Sequence, residues 1–441
     1  MRRAVDLALL LCLAAADAAI AQTPIACPST YPEGTACYVG ADANDANYFI
    51  AVPARWNGVL VMHAHGGPSR TKLSVKRALA RARRWAVWPQ EGYAYAASEY
   101  RRGGYGARMA ADDTEALRQL FVARFGTPRR TVLHGQSWGA LVAAKAVERY
   151  ADEPGLKPYD GALLTSGMLA GAPRGYDFRL DLRVVYQYYC RNHPRPDEVQ
   201  YPLWQGLAAG SDMSPRELRA RIAECTGFAH EPAKRTAEQR ARLAHILAVI
   251  RIAERSLDDH LAWATFMFAD LVQRRLGGRN PFSNDRVRYT GSDDDDALNR
   301  GVARYAADPA AVADLAADSQ PTGRVTIPTL TMHAIDDPIA FVEVESAYRA
   351  LRQRAGSDDL LVQTYTRERR HGYLASAGYA ASMRALLEWT DDGLKPTPQA
   401  IAADCEQHPA RQDGACAFDA AYAPPPYDER VPARGLPAAG Q

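Results

Sequence analysis

The segment Gly135-Gln136-Ser137-Trp138-Gly139 places a serine between two glycines, after the apolar run Thr131-Val132-Leu133 and before the helix-like stretch Ala140 to Tyr150. A strand that turns sharply into a helix holds such a serine in a strained backbone conformation and presents its hydroxyl at the sheet edge. The flanking glycines let strand and helix approach without side-chain clash. A serine hydroxyl is a poor nucleophile at neutral pH. It needs a base, normally histidine, itself fixed in one tautomer by a carboxylate. The chemistry would be attack on an acyl carbon, which also calls for N–H donors aimed at the oxygen that becomes negative. The acid candidates are Asp336 and Asp337, in the turn Ala334 to Pro338 that closes the apolar run Pro328 to His333. The base candidate is His371, in Arg369-Arg370-His371-Gly372 after the run ending at Tyr365. His65-Gly66-Gly67-Pro68 follows the run Gly58 to His63 and offers backbone donors, so the oxyanion hole is assigned to the N–H groups of Gly67 and Trp138, with Gly66 as the alternative to Gly67. Each candidate has a plainer reading: an Asp before Pro caps helices well, Gly-Pro is a common turn, and a histidine beside two arginines is often only a surface residue.

Residues 45 to 165 alternate short apolar runs with helical segments, the rhythm of a βαβ sheet. Strands are expected at Asn47 to Val52, Gly58 to His63, Tyr93 to Ser98, Arg130 to His134 and Gly161 to Ser166. Helices are expected at Ser74 to Trp88, Arg108 to Phe125 and Ala140 to Tyr150. Residues 170–322 break the rhythm with helix-like stretches at Leu180 to Tyr189, Ser214 to Cys225, Ala237 to Ile252 and Leu257 to Arg275, the pattern of an inserted helical cap. The acidic run Asp293 to Asp296 reads as a helix N-terminus, since it lacks the spaced oxygen ligands of a calcium loop. The βα rhythm resumes with strands at Ile327 to His333 and Leu360 to Tyr365 and helices at Val342 to Gln353 and Ala375 to Trp389. The expected division is a signal peptide at 1–21, a core at 22–169 and 323–392, the cap at 170–322, and a C-terminal extension at 393–441 with a disulfide.

With 47% apolar and 24% charged residues the chain has the composition of a globular protein, and its 441 residues can bury a large core. A formal charge of only +2 implies no polyanionic partner, so nucleic-acid binding is not expected. Met1-Arg2-Arg3, a short apolar run from Leu7 to Ala16 and then Ala19-Ile20-Ala21 read as a cleavable leader, too short to serve as a stable membrane anchor. A secreted or periplasmic product follows. Besides Cys12 there are six cysteines, an even number in an exported chain. The short loops favour Cys27 with Cys37, Cys190 with Cys225 and Cys405 with Cys416. His63 and His65 lack a third ligand at suitable spacing for zinc, and the serine chemistry needs no cofactor.

The ordered set of elbow, late acid, late histidine and His-Gly-Gly-Pro loop resembles the α/β-hydrolase superfamily over roughly residues 45 to 392, the insertion excepted. The resemblance implies a mostly parallel sheet with helices on both faces, a nucleophile followed in the chain by acid and then histidine, and the catalytic set Ser137, Asp337 and His371. Asp337 is preferred to Asp336 because Ala334 to Pro338 is similar to the family's glycine-x-x-aspartate-proline turn. Of the ten histidines only His371 and His408 follow the acid, and His408 lies in the tail. His65-Gly66-Gly67-Pro68 and Trp138 look like the corresponding motifs of proline iminopeptidases and related exported esterases, although Ser69 and Ala334 stand where glycine is usual in that family.

The expected activity is that of a secreted serine hydrolase cleaving carboxylic esters through an acyl-enzyme. The alternative is an aminopeptidase with the same triad, whose substrate ammonium would need a cap carboxylate such as Glu198 or Glu224. A non-catalytic binding protein on the same fold is the third reading. The partner is a small-molecule ester or peptide. Aromatic residues of the insertion, Tyr186, Tyr188, Tyr189, Trp204, Trp263, Phe266 and Phe268, could line an apolar pocket or simply pack its helices.

Overall fold

A computed structural model describes residues 22–151, 157–407 and 414–434. The expected leader at 1–21 and His408 lie outside these residues.

Alternation of side chains along each strand builds two cores, one on either face of a single nine-stranded sheet. In Val59–Ala64, for example, Leu60, Met62 and Ala64 enter one core while Val59 and Val61 enter the other. The strands are β1 (Thr23–Ile25), β2 (Ala36–Ala41), β3 (Asn47–Val52), β4 (Val59–Ala64), β5 (Ala94–Ser98), β6 (Arg130–Gln136), β7 (Gly161–Thr165), β8 (Thr329–Ala334) and β9 (Leu361–Thr366). Their order is β1-β2-β3-β5-β4-β6-β7-β8-β9. From β5 to β9 all neighbours are parallel, while β1, β2 and β3 add an antiparallel edge. Helices Ala107–Phe125 and Trp138–Arg149 cover one face, and helices Val75–Arg84, Ser376–Asp392 and Pro398–Gln407 the other. This is the α/β-hydrolase architecture expected from the sequence. The chain leaves β4 toward β5 on one side and enters β6 on the other. The crevice at the C-terminal ends of β4 and β6 is therefore the topological switch point where open α/β sheets bind ligands.

Between β7 and β8 the described chain forms helices and no strand, including Ala172–Cys190, Pro215–Thr226, Ala237–Ile250, Leu257–Ala262 and Pro309–Ser319. Asp294 caps the helix Asp295–Gly301 by accepting from Ala297 N–H at 2.8 Å, which accounts for the acidic run. The three cysteine pairs are the expected ones, and Cys190–Cys225 joins two of these helices.

Several boundaries differ from expectation for identifiable reasons. The helix at Ala172 starts eight residues before the expected Leu180. Its Pro173 lies in the first turn, where no N–H is needed, so a residue that usually breaks helices begins one here. The helix expected to run to Trp88 stops at Arg84 and restarts as the short turn Val87–Gln90. The break turns Trp85 and Trp88 into the core beside His134, at ring separations of 4.6 and 5.1 Å. The helix expected from Leu257 to Arg275 contains π turns at Trp263–Met267 and Asp270–Arg275. Strands β1 and β2 are not among the expected ones; they lie at the antiparallel end of the sheet, where β1 has only three residues, and are pinned by Cys27–Cys37.

Candidate active site

Ser137 sits between β6 and the helix Trp138–Arg149 with φ 60° and ψ −127°, a conformation that costs energy for any side chain but glycine. Backbone packing enforces it. A Cβ on Gly139 would lie 2.0 Å from the Ala64 carbonyl oxygen, and one on Gly135 would lie 2.4 Å from the Gly139 carbonyl oxygen. Only glycines allow the helix to start against β4 at this distance. The Ser137 N–H donates to Thr165 O at 2.9 Å, which ties the turn to β7.

Asp337 follows β8 and His371 follows β9, on neighbouring parallel strands. Nε2 of His371 lies 2.7 Å from Oγ of Ser137, and Nδ1 lies 3.0 and 2.8 Å from the two oxygens of Asp337. Asp337 has a fully buried side chain, and its Oδ1 also accepts from the N–H groups of Ile339 and Ala340 at 2.8 and 2.9 Å. Asp336 points elsewhere: it is 58% exposed and pairs with Arg369. The histidine loop is held from below by Gly372 N–H, which donates to Ser166 Oγ at 3.1 Å. Arg255, in the helical segment between β7 and β8, donates to the carbonyls of Asp336 and Arg369. His260 of the same segment meets Pro338 O at 3.0 Å.

Gly66 and Gly67 follow β4, the strand beside β6. A Cβ built on Gly66 would stand 3.3 Å from Ser137 Cβ, so this loop lies against the serine. Among the described residues the N–H groups of Gly66, Gly67 and Trp138 donate to no protein acceptor, and Trp138 opens its helix, where N–H groups are unpaired.

The remaining histidines do other things. His63 and His134 are buried and stacked, with their Nδ1 atoms 3.0 Å apart. Burial lowers both pKa values, that of His134 to about 3. His65 meets Gly66 O at 2.7 Å and packs on Tyr100. No group of three or more potential metal ligands occurs among the described residues. Glu198 and Glu224 are committed to Arg221 and Arg195. A carboxylate that the sequence did not single out is Asp259, in the helix Leu257–Ala262. It has no hydrogen-bond or ion-pair partner among the described residues. Its pKa is raised by partial burial and by Asp258, against the pull of Arg219 and His371. Of the aromatic residues expected to line a pocket, Trp263 packs on Tyr176 at 4.0 Å and approaches Tyr105, which touches Trp138. Tyr186 bonds Asn192 and Phe268 stacks on Phe282, so these two serve packing, whereas Phe266 lies under Arg70 and lines a cavity of about 670 Å³ beside Ser69 and Thr71.

No protein-family model matches the chain, and no curated protein matches it. Solved structures share its general course. An esterase from Aspergillus oryzae is 12% identical, with 82% of this chain and 80% of that one covered and a TM-score of 0.44. Lipase A of Candida antarctica is 11% identical, with 90% and 83% covered and a TM-score of 0.40. An esterase/lipase from an uncultured bacterium is 12% identical, with 85% and 84% covered and a TM-score of 0.39. At these values the likeness is one of layout and carries nothing about the bond cleaved.

Proposed function

We propose that the protein is an exported serine hydrolase that cleaves carboxylic esters through an acyl-enzyme, with residues 170–322 acting as a cap over the site. Ser137 Oγ attacks the ester carbonyl carbon while His371 Nε2 takes its proton. Asp337 keeps the histidine's other proton on Nδ1 and steadies the imidazolium. The carbonyl oxygen becomes negative and is met by the N–H groups of Gly67 and Trp138. The tetrahedral adduct collapses, and the departing alcohol takes the proton from Nε2. Water then attacks the acyl-serine by the same route, giving the free acid and restoring Ser137. The observation that carries this reading is the unbroken relay from Asp337 through His371 to a serine held at φ 60°. Three disulfides accord with export and removal of residues 1–21.

A second reading, an aminopeptidase with the same triad, is favoured by one observation. Asp259 is held by no hydrogen bond or ion pair among the described residues, and the positive charges that act on it are those of Arg219 and, less strongly, His371. It could receive a substrate ammonium group.

Turnover of para-nitrophenyl acyl esters against aminoacyl-naphthylamides separates the two. Esters are expected to be preferred; preference for the amides, abolished by Asp259→Asn, would establish the peptidase instead. Ser137→Ala should lower turnover by several orders of magnitude and abolish labelling by a fluorophosphonate. Labelling that survives the substitution would mean another nucleophile, and a folded wild-type protein that turns over neither class would favour a binding protein.

A further inference from the structure

We propose that this hydrolase selects esters bearing an anionic group, a carboxylate, sulfate or phosphate, close to the scissile bond, with Arg77 and Arg84 as the residues that recognise it. The inference rests on the acyl-transfer reading above and adds the substrate class.

Ser137, His371 and Gly67 open onto a cavity of about 390 Å³ whose other wall carries Arg77, Arg81 and Arg84 and no acidic residue. The three arginines stand at i, i+4 and i+7 on the helix Val75–Arg84, hence on one face, spread over roughly 10 Å of its axis. A substrate whose carbonyl sits at Ser137 would therefore bring groups only a few bonds away within their reach.

Their partners differ in a way that leaves two of them open. Arg81 is ion-paired with Glu99, whose side chain is fully buried, so its position is fixed. Arg84 lies over the ring of Tyr373, two residues past His371, at 4.4 Å. Stacking uses the face of a guanidinium and leaves its in-plane N–H groups for a planar oxyanion. The Arg77 guanidinium has no hydrogen-bond or ion-pair partner among the described residues, although its charge, with that of Arg81, acts on the buried Glu99.

The helix itself argues against a merely solvated face. It carries five cations, Lys76, Arg77, Arg81, Arg83 and Arg84, and no acid. Attraction to the helix C-terminus accounts for the last three but not for Lys76 and Arg77, which sit in the first turn where the dipole repels a cation; Arg77 is repelled again by Arg81 at i+4, and the buried Glu99, already paired with Arg81, offsets this only in part. An anion bound between Arg77 and Arg84 relieves both. Trp138 is 2% exposed and is covered edge-on by Tyr100 and Tyr105, themselves buried.

The test compares kcat/KM for matched ester pairs. Mono-para-nitrophenyl glutarate against para-nitrophenyl butyrate puts the charge on the acyl side. Acetoxybenzoate, acetoxybenzenesulfonate and acetoxyphenyl phosphate against methyl acetoxybenzoate put it on the alcohol side and separate the three anions. At least one anionic ester should exceed its neutral partner by on the order of ten-fold, the scale of one charge-assisted hydrogen bond. That ratio should fall toward one in Arg77→Gln/Arg84→Gln and in about 0.5 M salt. Because the ratio is taken within each variant, a partial folding defect does not imitate the result. Ratios at or below one for every anion, or a ratio the double substitution leaves unchanged, would overturn the selectivity while leaving ester hydrolysis standing. A wild-type protein as inert as Ser137→Ala toward all these esters would overturn the acyl-transfer reading, and this inference with it.

Discussion

Nε2 of His333 lies 3.6 Å from Oδ2 of Asp337, the oxygen that stands 2.8 Å from Nδ1 of His371. His333 is fully buried, with Nδ1 3.0 Å from Glu345 Oε1 and Nε2 2.9 Å from Ala340 O, so both ring nitrogens face acceptors. Burial opposes its charge, but the hydrogen bond and charge of Glu345, together with Asp337, outweigh it and raise its pKa. A histidine whose pKa is raised by folding contributes stability that is complete below about pH 6.5 and is lost as pH climbs through the folded-state value. Urea denaturation should show wild-type stability declining from neutral pH upward and His333→Gln lacking that limb. Parallel curves would mean that His333 is neutral in the folded protein.

The two adjacent aspartates should behave very differently. Asp337→Asn keeps the shape but offers His371 an amide instead of a carboxylate, which favours the wrong tautomer, and kcat should fall by about 10³ to 10⁴. Asp336→Asn removes only an exposed pairing with Arg369 and should change kcat by less than about two-fold. Stopped assays on both variants, with circular dichroism to confirm folding, decide the matter. A larger loss from Asp336→Asn would reverse the assignment.

Gly139→Ala tests the turn rather than the chemistry. The new methyl group would meet backbone on every side, with Ala64 O at 2.0 Å and His65 O at 2.6 Å, and no side chain can swing away to receive it. The helix must move off β4, carrying Ser137 and the Trp138 N–H with it. A stability loss of about 1–3 kcal/mol or more and a large fall in kcat are expected. Near-normal activity would show that the helix has slack that the contacts deny it.

The sheet and the order of the acyl-transfer residues were legible because their signals are local. Apolar runs alternate with helical ones, and a strand, a Gly-x-Ser-x-Gly turn and a helix follow one another within about twenty residues. What could not be read depends on contacts between distant segments. The helix near Val75 was expected, but nothing local says that its arginine face shares a cavity with Ser137. Glu198 and Glu224 looked like free carboxylates until folding brought Arg221 and Arg195 against them, while Asp259 gained its place from the docking of its helix near His371. Trp85 and Trp88 fit a continuing helix by spacing, yet burial against His134 was worth more than the helical hydrogen bonds given up at the break.

The stacked pair His63 and His134 predicts the acid limb of stability. The two Nδ1 atoms are 3.0 Å apart, so one ring must donate and the other accept, and protonating the acceptor destroys the bond. The surroundings offer no anion to compensate. Trp85, Tyr95 and Trp88 pack around the rings, His134 Nε2 meets only Thr165 Oγ1, and the charges felt by His63 are those of His134, His65 and Arg81, all unfavourable to a cation. Folding therefore lowers both pKa values, chiefly through burial. Their contribution to stability is complete above about pH 6.5 and is lost as pH falls toward the folded-state values, about 3 for His134. Burial also lowers the pKa values of His65, His193 and His260, which respond over the same interval from about pH 6.5 to 4.5, so the share of this pair is the difference between the wild-type slope and that of a variant lacking both rings. His63→Gln/His134→Gln retains a hydrogen bond but cannot titrate. It should start less stable at neutral pH through poorer packing, yet lose stability more slowly across that interval. Equal slopes in urea denaturation of the two proteins would place the acid sensitivity elsewhere.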